Sequence, residues 1–169
     1  MSEEMVTVNM TVNGEAVSKT IPVRTHLVDF IRTELGFTGS HLGCEHGICG
    51  ACSIRVDGDV VRGCLMLAAQ AEGCEVLTIE GVTETGEIAD LQDKFVERNA
   101  LQCGFCQPGM MMAARQLVTE NPEATREEIK EALASNLCRC TGYTKIYQAV
   151  EEACRRQRQC ATEGAGGAS

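Results

Sequence analysis

The sequence predicts an α+β protein, a small N-terminal sheet crossed by one helix and then an all-α unit of four helices. Three observations carry that expectation. Residues 1 to about 80 hold alternating apolar stretches interrupted at Asn13-Gly14 and Asp57-Gly58, dipeptides favoured in two-residue hairpin turns. Residues 85 to 155 instead place their apolar side chains at helical spacing. Between the two lies a change of period, so the expected division is a sheet domain over 1–80 and a helical domain over 85–155.

The elements follow in order. Residues 5 to 12 alternate, with Met5, Val8, Met10 and Val12 carrying most of the apolar weight, and "AVSKTIPV" returns after the Asn13-Gly14 turn. Thr25 is placed to cap a helix whose apolar face is Leu27, Phe30, Ile31 and Leu35. "SIRVDGDVV" predicts a second hairpin and "CEVLTIEG" a further strand. Helices are then expected in "IADLQDKFVE", "PGMMMAARQLV", "REEIKEALA" and "KIYQAVEEAC". Pro108 suits a first helical turn, Thr125 with Glu128 forms a capping box, and Asn121-Pro122 separates the second helix from the third. "MMM" at 110 to 112 is expected to be packing. The acidic "TREEIKEA" stretch is expected to be a solvated face. The end of the chain, residues 156–169, is expected to be a disordered tail, with its final "ATEGAGGAS" low in complexity.

Composition narrows the function. The 169 residues include four Phe, two Tyr and no Trp, so aliphatic side chains or a buried prosthetic group must fill the interior. A formal net charge of −9 argues against nucleic acid or an anionic membrane surface as partner. No apolar run approaches the roughly 20 residues that span a bilayer. The opening "MSEEMVTVNM" lacks the basic-then-apolar layout of a secretory signal, and a cytoplasmic protein is expected. In a reducing compartment the eleven cysteines are poor candidates for disulfides, and metal is the better explanation.

Eight of those cysteines fall into two sets. Cys44, Cys49, Cys52 and Cys64, within "GCEHGICGACSIRVDGDVVRGC", have the C-x4-C-x2-C spacing plus a downstream cysteine of plant-type [2Fe–2S] sites. Gly43, Gly47 and Gly50 are expected to let this loop adopt left-handed conformations and close approaches. Structural zinc favours shorter C-x-x-C pairs. The second set, Cys103 and Cys106 in "LQCGFCQPGM" with Cys138 and Cys140 in "NLCRCTGY", places a thiol pair at one helix start opposite a pair just before another. Helix N-termini offer free amides and a positive dipole end to an anionic centre. Spacing alone leaves [2Fe–2S] and zinc both open here, and the neighbouring ferredoxin-like set favours iron–sulfur, since two clusters in one small chain make an electron relay. Cys74, Cys154 and Cys160 fit neither set and are expected to be packing or idle thiols. His41 and His46 flank Cys44, but four cysteines already fill that site. His26 is expected to be structural.

Taken together, "GCEHGICGACSI", "LQCGFCQPGM" and "NLCRCTGY" resemble the small iron–sulfur subunit of the molybdenum hydroxylases, the family of xanthine dehydrogenase, carbon monoxide dehydrogenase and quinoline 2-oxidoreductase. The resemblance runs from about residue 5 to about residue 153, in the family's order and spacing. It implies a β-grasp plant-type ferredoxin domain followed by a four-helix-bundle [2Fe–2S] domain, without a substrate site on this chain. It further implies a large subunit carrying molybdopterin, as a cytosine dinucleotide, and a medium subunit carrying FAD, in a dimer of heterotrimers. Cys103, Cys106, Cys138 and Cys140 match the molybdenum-proximal ligands, and Cys44, Cys49, Cys52 and Cys64 the flavin-proximal ones. Gln102 matches a glutamine that contacts the pterin, and Cys140 lies where the last cluster cysteine approaches it. Gln107 and Ser53 stand where threonine is usual, and neither is a ligand. The competing readings are a free two-cluster ferredoxin-like carrier and a zinc-stabilised interaction module. The holoenzyme's substrate, whether an N-heteroaromatic ring, an aldehyde, carbon monoxide or an aromatic thioester, is set by a pocket in another chain.

Overall fold

In the computed structural model, residues 3–165 are described, with side chains described through residue 160. Strand β1 (Met5–Val12) buries Val8, Met10 and Val12 on one face, the outcome of its period-two pattern. It turns back into β2 (Glu15–Pro22) along a continuous antiparallel register from Met5 opposite Pro22 to Val12 opposite Glu15. At the turn both Asn13 and Gly14 have positive φ, 52° and 84°, the requirement of the tight hairpin that Asn-Gly satisfies. The second hairpin, β3 (Ser53–Val56) and β4 (Asp59–Arg62), turns through Asp57 and Gly58 in the same way.

Strand β5 (Glu75–Leu77) completes a five-stranded sheet of order β2-β1-β5-β3-β4, parallel to β1 and antiparallel to β3. Helix α1 (Leu27–Asp29) continues as a π-helical turn over Phe30–Glu34. Its Leu27, Val28, Phe30 and Ile31 enter the same core as Val8, Val12, Ile54 and Val76. Thr25 does not cap this helix, because its hydroxyl donates to the Pro22 carbonyl at 2.8 Å. The exposed amides are met by chain instead: Leu27 N–H donates to Met66 O and Val28 N–H to Gly63 O. With those donors satisfied, no side-chain cap is needed.

"CEVLTIEG" is only half strand. After Leu77 the chain enters α2 (Ile79–Glu84). Buried Thr78 ends the strand because its backbone and hydroxyl are both tied to Asn13, at 2.9 and 3.0 Å. Gly81 makes that contact possible, since a Cβ there would lie 2.3 Å from Asn13 Oδ1. The four expected helices follow as α3 (Ala89–Glu97), α4 (Gln107–Glu120), α5 (Arg126–Leu133) and α6 (Thr144–Ala165). Pro108 lies in the first turn of α4. The capping box of α5 is present, with Glu128 N–H donating to Thr125 Oγ1 and Thr125 N–H to Glu128 Oε2. Met110, Met111 and Met112 are all buried, in a core shared with Leu91, Phe95 and Val150. Helix α6 continues through residues expected to be a disordered tail, as far as Ala165. Residues 166–169 of that expectation lie outside the described residues.

The two cores meet across a tight backbone contact. A Cβ on Gly109, in the first turns of α4, would sit 2.0 Å from the Gly50 carbonyl oxygen. Nearby, Arg55 of β3 grips Glu87 of the α2–α3 connection through two hydrogen bonds of 2.6 Å. Gly109→Ala must therefore push α4 off the sheet domain. The expected loss is about 1–3 kcal/mol, read from chemical denaturation, with faster amide exchange at residues 50–53 and 107–110. An unchanged denaturation midpoint would show that the approach is not limiting.

Candidate metal centres

Each cysteine set is assembled by a loop whose backbone is bent for the purpose. In the first, Glu45, Gly47 and Gly50 take positive φ, so the chain curls around Cys44, Cys49 and Cys52. Gly43 does not adopt a left-handed conformation; its role is proximity, since a Cβ there would lie 3.2 Å from Cys49 Sγ. Gly47 lies flat against Leu65, which brings the loop over Cys64. The amides turn inward: Cys49 N–H donates to Cys44 Sγ at 3.4 Å. That amide, followed by the His46 amide, pulls the Cys44 thiol down to about 6. Burial pushes Cys64 up to about 11.

In the second set, Cys106 stands at the boundary just before α4 and Cys103 lies three residues earlier, across a left-handed Gly104. Cys138 and Cys140 sit on the loop before α6, where Gly142 and Tyr143 have positive φ. The Cys138 amide donates to Tyr143 Oη at 2.8 Å, and Tyr143 O–H donates to Asn136 O at 3.3 Å. Cys138 Sγ meets Thr141 Oγ1 at 3.1 Å. Burial raises Cys138, but hydrogen bonds from Thr141, the Cys140 amide and Cys106 together outweigh it and hold the thiol below its ordinary value. Burial pushes Cys106 up to about 12, while the Phe105 amide lowers Cys103.

The eight thiols of the two sets meet two by two. Cys103 and Cys140 have their sulfurs 3.4 Å apart, Cys106 faces Cys138, Cys44 faces Cys49, and Cys64 faces Cys52. Among the described residues no three His, Cys, Asp or Glu side chains converge tightly enough to hold a single metal ion. Two pairs facing one another fit a two-iron core with two thiolates on each iron. The donor chemistry also fits, since each set supplies four sulfurs with inward amides. Loading must displace the thiol protons, so affinity rises with pH.

The two sets are not independent. Leu137 N–H donates to Cys49 O at 2.9 Å, joining the residue before Cys138 to a cysteine of the first set. Buried Asn136 donates through Nδ2 to Gly50 O at 3.2 Å, and Arg62 bonds Ser135 O and Oγ at 3.0 and 2.7 Å. Gln102 Nε2 donates to Cys140 O at 3.1 Å. Sequence reasoning missed Asn136, Tyr143 and Arg62, because each acts on a partner the sequence does not reveal. Exposed apolar side chains flank both sets, Ile48 and Leu65 beside the first and Leu101, Phe105 and Leu137 beside the second. Cys154 is buried in the helical core, as a packing thiol should be.

Fold and cysteine sets together define a two-domain iron–sulfur protein. Residues 10–78 match the 2Fe-2S iron-sulfur cluster binding domain and residues 78–151 the [2Fe-2S] binding domain. The chain is 46% identical over 147 residues to the caffeine dehydrogenase subunit gamma of Pseudomonas sp. (strain CBB1), covering 85% of this chain and 88% of that one. It is 46% identical over 151 residues to the nicotinate dehydrogenase small FeS subunit of Eubacterium barkeri, covering 89% and 96%. Among solved structures, quinoline 2-oxidoreductase from Pseudomonas putida 86 superposes with a TM-score of 0.86 at 42% identity, covering 92% of this chain and 97% of that one. The chain belongs to the small iron–sulfur subunits of the molybdenum hydroxylases, the electron-transfer parts of multi-subunit oxidoreductases.

Tyr143→Phe removes the acceptor of the Cys138 amide and leaves that amide without its protein partner. The expected cost is about 1 kcal/mol, confined to the second set. Chelator challenge followed spectroscopically should strip metal faster from the helical domain alone. Equal release from both domains would show that Tyr143 does not hold the Cys138 loop.

Proposed function

We propose that the chain relays electrons from a molybdopterin centre in a large subunit to FAD in a medium subunit, through one cluster in each domain. Cys103, Cys106, Cys138 and Cys140 would hold the molybdenum-proximal cluster, and Cys44, Cys49, Cys52 and Cys64 the flavin-proximal one. When bound, each [2Fe–2S] core supplies a one-electron carrier. The protein's own contribution is to hold the two sets in fixed register and to keep solvent from the path between them. The observation that carries this reading is the 2.9 Å hydrogen bond from Leu137 N–H to Cys49 O. It links the two ligand loops through a single non-covalent step.

Gln102 and Cys140 are exposed and bonded to each other, which suits a pair that meets the pterin at a subunit boundary. With Nε2 committed to Cys140 O, the Gln102 amide oxygen is the group offered outward. The apolar side chains beside the two sets suit permanent partners better than a free diffusing carrier, since such surface on a soluble monomer tends to mark interaction sites. Relatives named for caffeine and nicotinate favour an N-heteroaromatic ring as the substrate of the holoenzyme. The remaining elements of this reading are a dimer of heterotrimers, a cytosine dinucleotide form of the pterin and a cytoplasmic location. No described helix is long and apolar enough to cross a membrane.

The purified complex should contain about four iron and four sulfide per copy of this chain. Its reduced form should give two distinct [2Fe–2S] EPR signals. Iron near two, stoichiometric zinc, or one signal integrating to a single spin would remove a cluster from this reading.

Gln102→Leu removes no thiolate and should leave both clusters in place. It deprives buried pterin groups of their partner at a cost of about 1–3 kcal/mol. The expected result is weaker molybdenum retention or slower reduction of the helical-domain cluster by substrate in stopped flow, with reduction from an artificial flavin-side donor unchanged. Wild-type molybdenum content together with wild-type bleaching would make Gln102 a bystander.

A further inference from the structure

His41 crosses from the sheet domain to the cysteine loop of the helical domain. Its own amide is anchored to Ala51 O at 3.1 Å, between Cys49 and Cys52 in the sequence. Its ring lies on the Phe105 ring, with centroids 4.7 Å apart and planes 17° from parallel. Its Nδ1 is 2.7 Å from the Phe105 carbonyl, so the proton on Nδ1 is the donated one. Phe105 stands between Cys103 and Cys106, and the carbonyl that His41 meets belongs to the peptide whose N–H is that of Cys106. That N–H belongs to the ligand candidate itself, one bond from the Cys106 Cα. His46, by contrast, turns its Nδ1 back to the Cys44 carbonyl within its own loop.

A donor on a peptide oxygen polarises the whole peptide and makes its N–H more positive. Hydrogen bonds to ligand sulfur are among the features that set a cluster's reduction potential, because they stabilise the more negative reduced state. We propose that His41 is a positioning residue that raises the reduction potential of the helical-domain cluster, acting through the 105–106 peptide on the Cys106 thiolate. This rests on the reading of Cys103, Cys106, Cys138 and Cys140 as ligands. It gives one domain a direct hand in the redox poise of the other: the residue that reads the Cys44–Cys52 loop through its backbone also stiffens and polarises the Cys103–Cys106 loop through its ring. The ring contact and the hydrogen bond are separable. Phenylalanine keeps a stacking face without the donor, and asparagine keeps a donor near the same position without the ring.

The test is an EPR-monitored redox titration of the intact complex carrying wild-type chain, His41→Phe or His41→Asn, with iron counted in each sample. Wild-type iron content and two resolved signals verify the ligand reading first, independently of what His41 does. His41→Phe should then shift the midpoint of the helical-domain signal to more negative potential. In partly reduced samples the share of electrons on that cluster, relative to the other, should fall roughly two- to fivefold. The sheet-domain midpoint should stay in place, and His41→Asn should restore most of the wild-type partition. Wild-type midpoints in His41→Phe would overturn the proposal, as would equal shifts of both clusters or an asparagine variant no better than phenylalanine. Loss of iron from the helical site in His41→Phe, with retention in His41→Asn, would make His41 a structural clamp and overturn the tuning role.

Discussion

The contact between the two cysteine-bearing domains centres on the carbonyl of Gly50. That one oxygen accepts from Asn136 Nδ2, from Ser53 N–H and from Ser53 Oγ, and it abuts the backbone of Gly109. The contact needs a glycine on both sides. At Gly50 a Cβ would strike Asn136 and the Ser135 carbonyl at 2.5–2.6 Å, and φ is +73°; at Gly109 it would strike Gly50 itself. Two glycines thus let a metal-binding loop of one domain sit directly on the first turn of a helix that carries a thiol of the other. A pair of domains joined by side chains alone would be separated by at least another layer of atoms. Tunnelling rates fall steeply with distance, so for an electron relay that layer would matter.

How much of this is legible in the sequence depends on the range of the interaction. Local chemistry is plain: Asn13-Gly14 and Asp57-Gly58 make the turns they imply, Thr125 and Glu128 cap α5, and Pro108 sits in a first helical turn. Cysteine spacing is equally plain, because ligands on one loop are separated by a fixed number of residues. Long-range pairing is not. "LTIEG" has strand composition, yet Thr78 is pulled into a bond with Asn13, sixty-five residues away in sequence, and a helix begins instead. Thr25 has cap chemistry but no cap to make, since residues 63–66 already satisfy the helix amides. Residues 156–165 belong to the stretch expected as a tail, and they nonetheless extend a helix already packed against α3 and α4. Around the cysteines, the ligand candidates were visible and their supports were not. Asn136, Tyr143 and Arg62 are ordinary residues until the fold shows what they touch.

The thiols themselves show an internal opposition. Burial at Cys64 and Cys106 works against ionisation, while inward amides at Cys44 and Cys103 work in its favour. Each site therefore combines a sulfur that is harder to ionise with one that is easier. Binding a cationic core removes the protons and turns the buried sulfurs from a cost into bonds, which couples metal loading to folding. The scarcity of aromatic side chains fits the same account. With four Phe and two Tyr in 169 residues, the two cores hold one buried Phe each, Phe30 and Phe95, and are otherwise built mainly from Val, Ile, Leu, Met and Ala.

The exposed side of each site completes the argument. Cys52 and Cys64 are buried, whereas Cys103 and Cys140 are exposed, so the second set is open toward whatever lies beyond it. Apolar Leu101, Phe105 and Leu137 surround that opening on a chain that is otherwise strongly acidic. An open thiolate centre in water would be vulnerable to oxidation and would lose the low-dielectric setting that strengthens the amide–sulfur bonds. A partner surface that covers the apolar rim supplies both protection and a dry path.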